Sequence, residues 1–531
     1  MKTITFTLLL LILLPCTAHS YDPPEVFAVF TGEDQTKPFG DDFCWIEDQN
    51  GDGCDELLIN NSPYFPGGDN RNAANQVWFY WGGENMGNSV DIVFRTDHAY
   101  RGFGRQVLYQ GNIIPDSNPF ITFETRFGGN GSHGSLYLYE AGEEIDNEVD
   151  LILTTPDYNG FSGIYPCSGR LNRPADLNGD GYHDIIVKEV NDDGHYRPLT
   201  VYFGGADFDT IPDWRPTNFP WSLIYNVVSG FDINGDGFDD IFVRGEGYWA
   251  FLGGNPMDTT FAFDFEYTGY ECEEGPTFLS DNLTMLQDVN DDGYDDWAVS
   301  HSYSDPWDAY DGCFIFFGGE EPDLEPDLDL GQGCSSITGG DFNNDGIGDI
   351  VTGGRADNTY FGEIRIYFGS RWIDGGEPDI LVRNRDDGFE NFPNLGCILG
   401  ASGDYNGDGT DDIVAKSSIS GNINQLVILL GNEDWTVNVD ETGHPIDYQL
   451  SLETAPNPFN NQLTISYQVP VSGSVQLAVY DIQGRLVEQL GCSEKSIGEY
   501  QTVWNCSNSG IYLVVMQAGE NRMTKKVVCI R

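Results

Sequence analysis

Six segments of this chain repeat one nine-residue pattern, and their spacing limits what the chain can fold into. They read DQNGDGCDE from Asp48, DLNGDGYHD from Asp176, DINGDGFDD from Asp232, DVNDDGYDD from Asp288, DFNNDGIGD from Asp341 and DYNGDGTDD from Asp404. Their starts lie 128, 56, 56, 53 and 63 residues apart, so the first interval holds two periods and one repeat lacks the segment. A fixed period of this size marks an architecture in which each unit buries its apolar face against its neighbours.

A second marker gives an independent count. A short apolar run ending in glycine recurs at Gly82, Gly142, Gly204, Gly253, Gly318, Gly369 and Gly431, and the extra one, Gly142, falls inside the long interval. Each acidic segment is followed at once by a β-type run: Leu57-Leu58-Ile59, Ile185-Ile186-Val187, Ile241-Phe242-Val243, Trp297-Ala298-Val299, Ile350-Val351 and Ile413-Val414. β-Branched and aromatic runs bounded by Gly, Asn and Asp predict buried strands, and no long segment carries a 3.6-residue apolar period. The fold class is therefore all-β, and seven units of blade size predict a seven-bladed β-propeller. A solenoid is the other use of such repeats, but no polar capping repeat is present. The apolar stretches Val26 to Phe30 and Thr436 to Val439, at opposite ends of the array, are expected to meet in one blade and close the ring.

The chemistry lies in the acidic segments. Within each, side-chain oxygens at positions 1, 3, 5 and 9 and the backbone carbonyl of position 7 form the oxygen-rich shell that Ca2+ prefers, and glycine at position 6 permits the turn. The candidate ligands are Asp48, Asn50, Asp52, Cys54 and Glu56; Asp176, Asn178, Asp180, Tyr182 and Asp184; and Asp232, Asn234, Asp236, Phe238 and Asp240. The remaining three sets are Asp288, Asn290, Asp292, Tyr294 and Asp296; Asp341, Asn343, Asp345, Ile347 and Asp349; and Asp404, Asn406, Asp408, Thr410 and Asp412. An EF-hand loop carries its last acid at position 12 and runs into a helix, whereas here the acid comes at position 9 and a strand follows. One such segment could be a solvated acidic turn; six with the same spacing point to about six calcium ions, mainly structural. Affinities of about 10⁻⁴ to 10⁻³ M suffice outside the cell.

Charge and cysteine content support this. The chain has 85 acidic and 25 basic side chains, a net charge of −60, which excludes a nucleic-acid surface and makes cations the expected partners. Six divalent ions would reduce −60 to −48 and relieve local repulsion. From Asp447 onward acids and bases nearly balance, so the two ends of the chain differ chemically. Lys2, the apolar run Ile4 to Leu14 and Ala18-His19-Ser20 read as a signal peptide over residues 1–20, with a lipoprotein at Cys16 as the weaker alternative. No later run is long enough for a transmembrane anchor. Of eleven cysteines, ten remain after Cys16, and Cys44 with Cys54, Cys313 with Cys334 and Cys492 with Cys506 are the nearest candidate pairs, although spacing does not give connectivity.

These loops resemble those of FG-GAP repeats, the units of the integrin α-subunit propeller, and Phe39-Gly40, Phe103-Gly104 and Phe361-Gly362 are similar to the motif that names them. The resemblance implies a seven-bladed ring over residues 21–440 with calcium in loops on one face and ligand contacts from the other; the repeat over about residues 100–145 carries no calcium loop. After a linker at 441–449, residues 450–531 contain Pro456-Asn457-Pro458-Phe459-Asn460, alternating strands such as Gln476 to Tyr480, Gly484-Arg485-Leu486-Val487, Ser509-Gly510-Ile511-Tyr512-Leu513 and basic Lys525-Lys526. Period-two alternation between turns predicts a small Ig-like β-sandwich. This segment resembles the type A C-terminal sorting domain of type IX secretion cargo, which implies export to the outside or the cell surface and contact with the type IX secretion machinery. An ordinary Ig-like binding module is the alternative.

No catalytic constellation assembles from the sequence. There is no G-x-S-x-G or H-E-x-x-H, and His98, His133, His183, His195 and His301 stand alone. The aromatics Tyr64-Phe65, Trp214, Phe219-Pro220-Trp221, Tyr248-Trp249, Tyr303 and Trp307 fall in loop-like stretches, where rings suit stacking on sugars or anchoring a protein; packing between blades is the competing use. The sequence thus points to a non-catalytic binding protein for glycan or protein ligands. An extracellular polysaccharide- or ester-cleaving enzyme and a structural surface component remain as alternatives.

Overall fold

In the computed structural model, residues 23–435 and 451–530 are described apart from segments within loops, the longest at 62–75, 155–162, 266–279 and 384–391. Contacts divide the chain into Pro23–Val437 and a unit containing Asn438–Arg531. Every element among the described residues is a strand.

Among the described residues, Pro23–Val437 contains seven small antiparallel sheets. Blade 1 has strands Phe43–Ile46, Glu56–Asn61, Gln76–Tyr80 and Ile92–Arg95; blade 2 has Val107–Gly111, Phe120–Arg126, Gly134–Glu140 and Leu151–Thr154. Blade 3 has three strands, Gly163–Pro166, Ile185–Val190 and Tyr196–Tyr202, with Trp214 bridged to Val201 in place of a fourth. Blades 4, 5 and 6 begin at Asn226–Ser229, Ser280–Met285 and Ser336–Gly340 and end at Phe263–Phe265, Leu328–Gln332 and Ile380–Arg383. Blade 7 joins Ile398–Gly403, Asp412–Ile419 and Ile423–Leu429 to Val26–Thr31 from the start of the array. First strands touch from blade 1 to 2, 4 to 5, 5 to 6, 6 to 7 and 7 back to 1, and the first strand of blade 3 touches blade 2. Blades 3 and 4 share one core of Leu177, Val201, Val227 and Val243, so the ring is closed.

The amino-terminal strand closes the last blade, as expected. Val26–Thr31 pairs with Ile423–Leu429, because the amino-terminal strand fills the fourth place beyond the third strand of blade 7. Thr436 to Val439 lies outside the described residues. The Phe-Gly pairs sit where chains crowd: Phe39 and Phe103 are buried, and Gly40 and Gly104 have φ of 59° and 64°. A Cβ on Gly362 would strike the backbone of Leu395, while Phe361 is outside the described residues.

The aromatic expectation is corrected in part. Trp214, Tyr248 and Trp249 are 5%, 6% and 6% exposed, so these rings fill the core between blades. Tyr303 lies in a strand of blade 5, and Tyr64, Phe65, Phe219, Trp221 and Trp307 are outside the described residues.

The cysteine pairing is corrected too. Cys313 bonds Cys334 as expected, but Cys506 bonds Cys529, which lies with it in the core of the carboxy-terminal unit. Cys44 and Cys54 are free thiols facing opposite neighbours. Cys44 Sγ accepts the Tyr109 N–H of blade 2, whereas Cys54 Sγ packs beside Gly407 of blade 7.

The carboxy-terminal unit is two antiparallel sheets. One orders Ser451–Ala455, Gln462–Val469 and Gly498–Asn505; the other orders Leu486–Lys495, Gly473–Asp481, Gly510–Ala518 and Asn521–Cys529. Leu463, Ile465, Val479, Trp504 and Val514 from both sheets form one core, as period-two patterning requires. Asn457 ties the Pro-Asn-Pro turn to the last strand, donating to Lys526 O at 2.9 Å and accepting from Val528 N–H at 3.0 Å.

Candidate metal-binding loops

Each acidic segment joins the first strand of its blade to the second and winds into a nest around its first residue. Asp176 Oδ1 accepts the N–H groups of Gly179 and Asp180 at 2.8 and 3.1 Å, and Oδ2 accepts Gly181 N–H at 2.8 Å. Asn178 Oδ1 accepts Asp180 N–H at 2.9 Å and Asp180 Oδ1 accepts Tyr182 N–H at 2.9 Å. The same net recurs around Asp48, Asp232, Asp288, Asp341 and Asp404. Two left-handed residues make the winding possible. Position 6 is glycine throughout, with φ from 85° to 96°, and position 4 is glycine in four loops and Asp291 or Asn344 in the others, residue types that tolerate this region.

The donors at positions 1, 3 and 5 and the carbonyl at position 7 are all oxygens, a set that fits a hard divalent cation. The nests are held by their own backbone bonds, and the Asn178 amide donates to Asp180 Oδ2 at 3.3 Å. Among the described residues no three acidic, cysteine or histidine side chains are gathered as a metal-holding group. At position 7 in the first loop, burial, followed by the charge of Asp52, pushes the Cys54 thiol up to about 12, so the thiolate form is disfavoured.

Position 9 is different. Asp184, Asp240, Asp296, Asp349 and Asp412 are buried, and each accepts two backbone N–H groups. One comes from position 2 of its own loop and the other from the glycine of the second repeated marker: Leu177 and Gly204 both donate to Asp184 at 2.8 Å. Ile233 and Gly253 donate to Asp240, Val289 and Gly318 to Asp296, Phe342 and Gly369 to Asp349, and Tyr405 and Gly431 to Asp412. Loss of water raises Asp184, Asp240, Asp296 and Asp412 to about 8. In blade 1 the longer Glu56 accepts from Gln49 at 3.1 Å through Oε2, leaves Oε1 buried without a partner, and is raised by burial to about 9. The two markers in the sequence are thus two halves of one clamp.

Position 8 was not singled out from the sequence, and it joins blade to blade. Asp239 of blade 4 accepts Asp176 N–H of blade 3 at 2.7 Å and returns its own N–H to Asp176 O at 3.2 Å. Asp295 does the same to Asp232, Asp411 to Asp341, and Asp55 of blade 1 to Asp404 of blade 7. His183 serves between blades 2 and 3, where Nδ1 accepts Asn112 N–H at 2.9 Å. Burial lowers this imidazole's pKa, in keeping with a neutral ring acting as acceptor. Blade 6 has Gly348 here and keeps only the backbone half, Gly348 N–H to Asp288 O at 2.9 Å. The signal was present in the sequence as Asp at position 8 in four of the six segments.

Residues 454–530 match the family described as Secretion system C-terminal sorting domain. The chain is 26% identical over 194 residues to Integrin alpha-5 of Xenopus laevis, covering 35% of this chain and 18% of that protein. It is 28% identical over 208 residues to Phosphatidylinositol-glycan-specific phospholipase D of Rattus norvegicus and 33% over 153 residues to that of Homo sapiens. These cover 32% and 24% of this chain and 24% and 17% of the relatives, so the chain spans under a quarter of their length. The Dos1 propeller aligns over 78% of this chain and 94% of its own at 10% identity with a TM-score of 0.35, and the architecture above stands on the sheets and their closure instead. Among the described residues no helix is long and apolar enough to cross a membrane. Residues 454–530 are a type IX sorting domain, and with it this chain is an exported or cell-surface protein whose amino-terminal unit is a β-propeller, similar over part of its length to the integrin and phospholipase D relatives above.

Proposed function

We propose that this protein is a non-catalytic extracellular recognition protein whose ring is stiffened by calcium in six loops and presents loops on the opposite face to a glycan or protein ligand. The observation that carries the calcium half is the sixfold nest: positions 1, 3 and 5 wound around two left-handed residues, on the ring of a chain with net charge −60. Asp176, Asn178, Asp180 and the Tyr182 carbonyl would hold the ion in the loop of blade 3, with their counterparts elsewhere, and a bound ion would supply positive charge among these carboxylates. Asp184 supports the loop from beneath by accepting the Leu177 and Gly204 N–H groups.

Each ion held at tenfold above its Kd adds about 1.4 kcal/mol of stability, so six together move the melting temperature far. Thermal unfolding in calcium and in excess EGTA tests this; equal transitions would end the calcium reading. A glycan array probed with the calcium-loaded protein, with product release assayed in the same wells, tests the recognition half. The similarity to Phosphatidylinositol-glycan-specific phospholipase D favours one second reading, hydrolysis of a glycolipid or related ester, and turnover in those wells would select it.

A further inference from the structure

The position-8 clasp gives the loops a means of sensing one another, and it is interrupted at two places. Asp239 ties the loop of blade 4 to that of blade 3, and Asp295 ties blade 5 to blade 4. Asp411 ties blade 7 to blade 6, and Asp55 ties blade 1 to blade 7. Between blades 5 and 6 the carboxylate is missing because position 8 is Gly348, and between blades 1 and 3 stands blade 2, which has no acidic loop. We propose that the six loops bind calcium as two cooperative trios, the loops starting at Asp176, Asp232 and Asp288 forming one and those starting at Asp341, Asp404 and Asp48 the other.

The coupling is local and physical. Position 8 lies between the position-7 carbonyl and the position-9 acid of its own loop, and its carboxylate and N–H grip both backbone groups of position 1 in the preceding loop. Ordering either loop around an ion therefore fixes a ligand-bearing segment of the other. A second contact accompanies three of the four clasps: the rings of Phe238 and Tyr294 pack on Gly179 and Gly235, and Cys54 Sγ packs on Gly407, where a Cβ would crowd each of them, while between blades 6 and 7 position 4 is Asn344. At the 5–6 junction position 4 is instead Asp291, which pairs with the exposed Arg371 at 2.9 Å. Ordering one partner lowers the entropy cost of ordering the next, which is positive cooperativity without a change of fold.

This rests on the calcium reading, and hydrogen exchange of the full chain across a calcium titration separates the two failures. Peptides over each loop report its own midpoint and slope. Within each trio the wild-type curves are expected to share a midpoint with a Hill slope above 1. Asp232→Ala, removing a candidate ligand from the middle loop, should move the midpoints at the Asp176 and Asp288 loops about fivefold or more to higher calcium while leaving the other trio in place. Asp295→Ala keeps all candidate ligands and should lower the slope of the first trio alone. A shift confined to the Asp232 loop, an equal shift in all six, or wild-type slopes of 1 overturns the trios. If neither variant folds, the wild-type slopes decide. Loops that gain no protection at any calcium concentration overturn the calcium reading itself.

Discussion

Blades 2 and 4 build the same four-stranded sheet by different means. Blade 4 has the nest around Asp232 and the clamp through Asp240; blade 2 has no acidic loop, and four rings hold its junction with blade 1. Phe123 lies 5.0 Å from Phe94 and Tyr139 and 5.7 Å from Phe103, tilted or edge-on. The glycine marker shows the difference most sharply. Where blade 4 has Gly253-Gly254, blade 2 has Ala141-Gly142, and the alignment is fixed by Glu140 and its counterparts Trp81 and Phe203, whose N–H groups all donate to an Asp ten residues on. A Cβ on Gly253 would overlap the Asp239 carbonyl and lie 2.9 Å from Leu177 O, both parts of acidic loops. Blade 2 lacks such a loop, and there an alanine fits. The first glycine of the marker is therefore a consequence of the acidic loop, and the sheet itself does not require it.

The comparison is broken most directly at that residue. Gly253→Ala is expected to cost about 4 kcal/mol or more, since the obstacles are backbone on both sides and cannot move aside. Ala141→Gly should cost less than about 1 kcal/mol. Chemical denaturation of both variants checks this, and equal losses would mean that the marker glycine answers to something other than the loop.

Calcium should separate the two blades as well. Phe123→Ala removes the ring at the centre of blade 2's cluster and should cost about 3 to 5 kcal/mol, with the gap in melting temperature between calcium and EGTA kept. Asp240→Ala leaves the N–H groups of Ile233 and Gly253 without their acceptor at a buried site, about 1 to 3 kcal/mol, and should narrow that gap. A narrowed gap in Phe123→Ala, or an unchanged one in Asp240→Ala, would show that the blades are not divided in this way.

Much of this was legible because it is local and periodic. The acid spacing fixes the nests, glycine at position 6 fixes their turn, and the runs after Asp184, Asp240 and Asp296 become second strands. What spans blades was not legible. The bond from Asp176 to Asp239 crosses 63 residues and has meaning only in a closed ring, so position 8 read as one more acid in an acidic loop. Cys529 was passed over for the same reason, because its approach to Cys506 depends on how two sheets face each other. The aromatic residues misled because Trp249 sits next to Gly-rich sequence yet packs in the core of a short strand, where burial overrides local composition.

The smallest effect concerns acids outside the acidic loops. Asp91, Asp150, Asp213, Asp327 and Asp379 each sit just before or at the start of the outer edge and accept the N–H of a residue ten or eleven positions earlier. Blade 2 has this device in Asp150, whose N–H also reaches Leu138 O at 3.1 Å; blade 4 has Ala262 instead, which keeps only the backbone bond to Ala250 O at 2.8 Å. The carboxylate is thus dispensable where the loop and clamp are present. Asp150→Ala removes one charge-assisted bond at an exposed site and should cost about 1 kcal/mol, by the same amount in calcium and in EGTA. A loss that grows on chelation would tie blade 2 to the metal loops after all, and the contrast between the two kinds of blade would then have to be redrawn as one of degree.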